Sequence, residues 1–494
     1  MAHSRSLRKH HGVRALFLVQ IFSTLSYSVL FSTLVLYMTK QLKLNDIDAT
    51  SITANFVAFN YALHLVGGFI SGRLFSHRSL FVLGMLLQVI GCILISFLSL
   101  YSLLWGLAFF LSGSGLNVTC INCMLTQFFE PHEKRRETAF LWNYSAMNVG
   151  FLIGFTVGGI FELSQNYREL FLLSGFANFL SIIVLFFHWK YLFDRNTYFA
   201  DNSIKQRWLF RFYGALLLLA IIISLKWLVK FSFISNNLIL ITGVAMAFVI
   251  IFIALRQKKK KTAEKIWAYL ILGAMSLVFW SLYMMAPMGL ILFIENNVHR
   301  SIFHFIIPPQ WVQNINTLII IFGGPTLAHL YTRLRKRGVN ITIPIQFSVA
   351  LFLIAVAFII LPVGIHFADH QGMVNFGWIV ACYFLQSVGE LFISPIGYAM
   401  VGQLIPSKLQ GLMMGTWMMI SGVAAILANL FSKMALGYSD QTNPLITNPS
   451  FAKTFNILGW GAFSASIIML CLIKFLHKLI KEKSDPNKTT AYPL

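Results

Sequence analysis

The chain reads as an all-α integral membrane protein of about fourteen transmembrane helices, two groups of six with two more between them. Three observations predict it. Of 494 residues, 57% are hydrophobic, 15% aromatic and only 11% charged, a balance typical of membrane spans. Apolar runs of roughly 20 residues, the length that crosses a bilayer, recur from Ala15 to Phe475. The basic residues collect in the segments between alternate runs, as they do when Lys and Arg stay on the cytoplasmic side. The net charge of +22 therefore reports orientation, not affinity for nucleic acid.

The first group starts behind a basic amino terminus (Arg5, Arg8, Lys9, Arg14) with Ala15 to Met38. That run is too long for a cleaved leader and passes straight into the repeating pattern, so it is the first span. Ala54 to Gly72 follows and leads into "GGFISGR" (Gly67 to Arg73), whose small residues at helical spacing predict close packing. After Arg73 and Arg78 come Leu80 to Leu98, then Leu103 to Phe128 with "GSG" at Gly113 to Gly115, a second packing signal. Phe140 to Phe161 lies beyond the Lys134-Arg135-Arg136 cluster, and Leu170 to Phe187 closes the group.

"KYLFDRNTYFADNSIKQR" (Lys190 to Arg207) is the first joint, Trp208 to Leu228 and Leu238 to Leu255 are the inserted pair, and "RQKKKKTAEK" (Arg256 to Lys265) is the second joint. The second group is expected at Ile266 to Phe293, Val312 to Tyr331, Ile345 to Ile365, Trp378 to Leu404, Leu412 to Met434 and Phe455 to Leu476. Arg333-Leu334-Arg335-Lys336-Arg337 forms one of its loops, and Lys474, Lys478, Lys481, Lys483 and Lys488 follow its last span. The expected divisions are 1–195, a six-helix bundle; 196–262, basic linkers with two extra helices; 263–478, a second bundle; and 479–494, a cytoplasmic tail. An even number of spans puts the basic clusters on one face, so both termini are expected in the cytoplasm. Trp311 and Trp378, at span ends, are expected to anchor at the membrane interface.

Several chemistries are excluded. There is no GxxxxGK[ST] phosphate loop, no soluble segment large enough for a nucleotide-driven motor, and no His, Cys and carboxylate cluster at metal-ligand spacing. No cofactor or metal is expected, nor is an enzyme, because no nucleophile, base and orienting group can be assembled. Cys92, Cys120, Cys123, Cys382 and Cys471 all sit within spans, and the Cys120 to Cys123 spacing lacks the βαβ context of a redox motif. Two six-span groups around a midplane site is the layout of the major facilitator superfamily, whose bundles rock about their substrate.

A charge at mid-bilayer costs several kcal/mol, so each needs a partner, a water-filled cavity or a function. Of the sixteen acids, twelve fall in loops or tails, and Glu162, Glu169 and Glu295 lie near span ends. Glu390 alone is deep, roughly 18 Å along its helix from Trp378. Gly389, Ser394, Pro395 and Gly397 loosen the helix around it, which is tolerated where backbone lines a cavity. Glu390 is expected to face water and bind a cationic group, a proton, or each in turn; the alternative is a protonated acid bonded to a neighbouring helix. His64 is a second intramembrane ionisable group, either a proton relay or a neutral hydrogen-bonded ring. Tyr27, Asn60, Tyr61, Asn143, Tyr144, Asn148, Asn314 and Asn316 add polar groups within spans, some of which simply hold helices together.

These residues resemble the proton-dependent oligopeptide transporter family, a branch of the major facilitator superfamily that imports di- and tripeptides. "LVFWSLYMMAPMGLILFIENNVHR", "IPPQWVQNINTLIII" and "GELFISPIGYAMVGQLIPSKLQGLMMGTWMM" follow the family's order and spacing, the last close to its GELxxSPxG signature. In the first half "LSGSGLNVTCINCML" stands for a GxGLFKPNxxxL motif and "FLWNYSAMNVG" for FxxFYMxINxG. The likeness runs from about Phe17 to Phe475, and the inserted pair is a feature of bacterial members, implying a bacterial inner membrane.

What the resemblance implies carries over in part. The family's ExxERxxYY, whose acids serve proton coupling and whose Arg helps hold the peptide carboxylate, reads Gln20 to Ser28 here, without charge. A carboxylate-binding Lys falls on Val118, an acid on Met284, and a loop Asp on Gly72. Glu390, which in the family receives the peptide amino terminus, remains, with the pocket positions Tyr27, Tyr61, Tyr144, Asn148, Asn316, Ser394 and Trp417. The expectation is a secondary active transporter of di-/tripeptides or peptide-like, amine-bearing solutes by alternating access, with Glu390 and His64 as candidates for coupling to protons. The alternative is an importer or exporter of a non-peptide such as a metal chelator or a cationic drug.

Overall fold

The computed structural model describes residues 2–129, 134–192, 194, 197–303, 305–338, 341–437 and 442–480. The tail from residue 481 onward lies outside the described residues. Fourteen long helices follow one another: α1 (Ala2–Leu36), α2 (Asp46–Ile70), α3 (His77–Ile95), α4 (Leu100–Thr126), α5 (Lys134–Ser164), α6 (Tyr167–Phe187), α7 (Ile204–Lys230), α8 (Ser232–Leu255), α9 (Lys260–Tyr283), α10 (Asn314–Lys336), α11 (Ile343–His366), α12 (Phe376–Leu404), α13 (Ser407–Leu436) and α14 (Pro444–Ile480). Twelve are long and apolar enough to cross a membrane. The other two, α2 and α10, carry polar residues along their length, among them Asn60, His64, Asn314 and Asn316.

Their starts are written in the sequence. Asn45, Ser76, Ser99 and Ser203 cap α2, α3, α4 and α7 with side-chain oxygens that accept orphan backbone N–H groups. Among the described residues the β-strands are two residues long: β1 (Val298–His299) runs parallel to β4 (Val374–Asn375), and β2 (Ser301–Ile302) pairs antiparallel with β3 (Phe305–Ile306).

In lipid the hydrophobic effect does not separate inside from outside, so helices associate through close packing. On α3 and α4 glycines recur every seventh residue, and Gly84 and Gly91 meet Gly113 and Gly106. A Cβ on Gly91 would lie 2.7 Å from the Gly106 carbonyl, and one on Gly113 would overlap the Gly84 carbonyl. Backbones touch there because no side chain fits. Gly67 of "GGFISGR" meets the carbonyl of Gly115 in the same way, so both small-residue motifs pack as expected.

Within the first half α1 packs on α5 and α6, α3 on α4 and α6, and α2 on α4; within the second, α11 packs on α12 and α14, α9 on α13, and α10 on α12. The halves meet along α2 against α13 and along α5 against α10. Between them α7 lies on α4 and α2, while α8 lies on α13, α9 and α2. Only 17% of the apolar window of α8 is buried, which leaves most of it for lipid.

One expectation is corrected. The ninth span, read as one run from Ile266 to Phe293, ends at Tyr283, and a separate short helix begins at Gly289 and runs to Asn297. Pro287 is the cause: in a continued helix its ring would collide with the carbonyl of Tyr283, four residues back. Trp311, expected at the membrane interface, also has a partner within the protein. Its indole lies over Gly159 of α5 and donates from Nε1 to the Thr156 carbonyl at 3.0 Å, joining the halves.

Candidate functional site

Glu390 sits near the middle of α12, about 21 Å from Phe376 along the axis, with 8% of its surface exposed. A carboxylate in such a place needs hydrogen-bond donors. Two converge on it. Asn316, in the first turn of α10, donates from Nδ2 to Oε2 at 2.7 Å, and the hydroxyl of Tyr283, the last residue of α9, donates as well. Asn316 Nδ2 also lies 3.2 Å from Ser387 Oγ, whose own hydrogen goes to the Tyr383 carbonyl at 2.6 Å. Tyr283 is held by its rings' neighbours, stacked on Phe279 at 6.0 Å and edge-on to Trp280 at 5.3 Å. The acid therefore rests among oriented neutral donors.

The first half reaches the same place. Tyr61 of α2 and Tyr144 of α5 come within electrostatic reach of Tyr283, and Tyr27 of α1 within reach of Tyr61. Tyr27 stacks on Phe56 at 5.7 Å between centroids, and its hydroxyl is buried without a partner among the described residues. The His64 ring lies 6.2 Å from that of Tyr61. Two hydroxyls of the first half, those of Tyr61 and Tyr144, thus come near Tyr283, the phenol that donates to Glu390.

The remaining expected residues are placed differently. Asn148 is buried and donates to the Tyr144 carbonyl of its own helix at 2.9 Å. Ser394 is half-buried one turn past Glu390. Trp417 is buried with its indole in the notch left by Gly397, where α13 meets α12. On α1 a neutral network stands where the resemblance places acids and an arginine: Gln20 Nε2 donates to Thr24 Oγ1 at 2.8 Å, Ser23 to the Gln20 carbonyl at 3.1 Å, and Asn143 Nδ2 to Gln20 Oε1 at 3.2 Å. Val118 is 37% exposed and Met284 is buried.

A second cluster closes the halves together at the face reached by the end of α1. Lys40, in the π-helical turn Tyr37–Gln41, bridges Glu162 of α5 at 2.9 Å and Glu295 of the second half at 2.5 Å. Arg300 pairs with Glu295 at 2.8 Å. Glu162, 3% exposed, also accepts from Tyr167 at 2.8 Å and from Gln310 of the second half at 2.9 Å. Asn314 donates to Thr156 at 3.0 Å, less than two turns from Glu162 along α5. A cavity of about 280 Å³ beside this cluster is lined by Lys40, Lys43, Asp46 and Glu295 among others.

Two features were missed from the sequence. Tyr283 gives no signal, since a phenol in a span is inexpensive. The ionic cluster had one: Lys40, Glu162 and Glu295 stand at the ends of the first, fifth and ninth spans, and odd-numbered spans end on one face.

The chain is similar to known proteins over nearly its whole length. The PTR2 model of the POT family matches residues 78–445. Dipeptide and tripeptide permease B of Photorhabdus luminescens is 27% identical over 475 residues, covering 95% of this chain and 96% of its own. Dipeptide and tripeptide permease A of Chromobacterium violaceum is 26% identical over 485 residues, covering 97% and 96%. Among solved structures, the peptide transporter POT in complex with sulfate superposes with a TM-score of 0.81 at 23% identity over 95% of this chain and 96% of its own. A POT family transporter in complex with 5-aminolevulinic acid gives 0.80 at 22% over 94% and 96%. With its family model spanning most of the chain and its helices laid out as in these transporters, the protein belongs to the POT family.

Proposed function

We propose that the protein is a secondary active transporter of di- and tripeptides and of peptide-like solutes that carry a free amine, working by alternating access between its two halves. Supporting this most directly is Glu390, a buried carboxylate held by Asn316 and Tyr283 where tyrosines of the other half approach. The ionised form attracts an ammonium group. Protonation removes that attraction, so a proton and an amine compete for one oxygen pair, and a proton gradient can drive release on one side. His64, beside Tyr61, is the second group proposed to carry protons. Tyr27, Tyr61 and Tyr144 offer rings and hydroxyls to a peptide's body, and Asn148, Ser394 and Trp417 shape the surrounding helices. Both termini and the basic loops are assigned to the cytoplasm of a bacterial inner membrane, with the Lys40 cluster on the opposite face.

Uptake into proteoliposomes of a panel of amine-bearing di- and tripeptides, each beside its N-acetylated form, tests this. Uptake should change under an imposed proton gradient, depend on the free amine and fall to background in Glu390→Gln. Uptake that ignores both the amine and Glu390 would disprove it.

A further inference from the structure

Resting on Glu390 as the group that holds the amine, we propose that the site selects substrates that are cationic at one end and uncharged at the other, such as a dipeptide amide or ester, over zwitterionic peptides. Glu390 has two partners that act on it, Asn316 and Tyr283, both neutral. Among the described residues no Lys or Arg reaches any of the three. In the first half, Gln20, Thr24, Ser23 and Asn143 bond one another in a neutral network. Nearer the site, within reach of Tyr61, the hydroxyl of Tyr27 is buried without a partner among the described residues. An amide end brings N–H donors to that hydroxyl oxygen. A carboxylate end brings a second anion into a site whose one charge is already negative, where it goes unpaired.

The resemblance puts a carboxylate-binding lysine at Val118, the position where a cation can be restored. It is an exposed valine on α4, and its neighbour Thr119 donates to the His64 carbonyl at 3.3 Å, which sets this turn of α4 against the Tyr61–His64 stretch of α2.

The test is calorimetric binding to the full-length purified protein of Ala-Ala, Ala-Ala amide and N-acetyl-Ala-Ala amide. The amide should bind about tenfold or more tighter than Ala-Ala, the cost of leaving a charged group unpaired. Val118→Lys should bring the two affinities together. Ala-Ala binding as tightly as its amide, with binding still lost in Glu390→Gln, overturns the proposal and leaves the amine-binding role of Glu390 standing. N-acetylation or Glu390→Gln without effect, or no binding by any of the three, overturns that role and the proposal with it. Val118→Lys that leaves the preference for the amide unchanged overturns the placing of Val118.

Discussion

At the scale of residues, the site is one acid and its donors. Removing the Tyr283 hydroxyl in Tyr283→Phe deletes a hydrogen bond to a charged acceptor, worth about 1.5–3 kcal/mol. Amine-bearing ligands should therefore bind at least about tenfold more weakly by calorimetry, while the ring keeps its stack on Phe279 and the thermal midpoint barely moves. Asn316→Ala should act in the same direction, since it strips a donor from both Glu390 and Ser387. Glu390 was legible in the sequence because a charge in lipid is expensive and demands an explanation. Tyr283 was not, because its importance arises only from where Pro287 ends α9. Asn148 and Trp417 also lie in matching stretches; one hydrogen-bonds its own helix and the other fills a notch.

At the scale of helices, contact distance is set by glycine. Gly113→Ala would force a methyl into the Gly84 carbonyl and push α3 from α4, with no flexible side chain to yield. Such overpacking costs typically about 1–3 kcal/mol, so thermal unfolding in detergent should shift down by several degrees, and Gly113→Leu should fail to fold. Gly397→Ala should be felt in binding as well as stability, because its methyl displaces the Trp417 indole between α12 and α13. Hydropathy located these helices well, since length and apolarity are properties of single segments. It ran α9 through Pro287 because the flanking methionines keep the run apolar across a break that only backbone sterics impose.

At the scale of the whole molecule, the halves are held shut at one face by Lys40, Glu162, Glu295 and Gln310. Alternating access requires this lock to open. Glu162→Gln removes the buried anion that Lys40, Tyr167 and Gln310 share, and losing one partner of such a pair costs several kcal/mol. The population should move toward the form open at that face. Thr39→Cys, placed in the adjoining cavity on a background without the five native cysteines, should then react with a membrane-impermeant maleimide about tenfold faster than without the second change. Unchanged labelling would show that the cluster does not hold the face closed.

The account depends on direct pairing between Glu390 and a substrate amine, and a double cycle reads that pairing alone: Ala-Ala amide and its N-acetyl form, each titrated against the unaltered protein and against Glu390→Gln. A coupling of about 1.4 kcal/mol or more, a tenfold excess over additive losses, is the predicted result. Losses that simply add, with no coupling between amine and carboxylate, would contradict it.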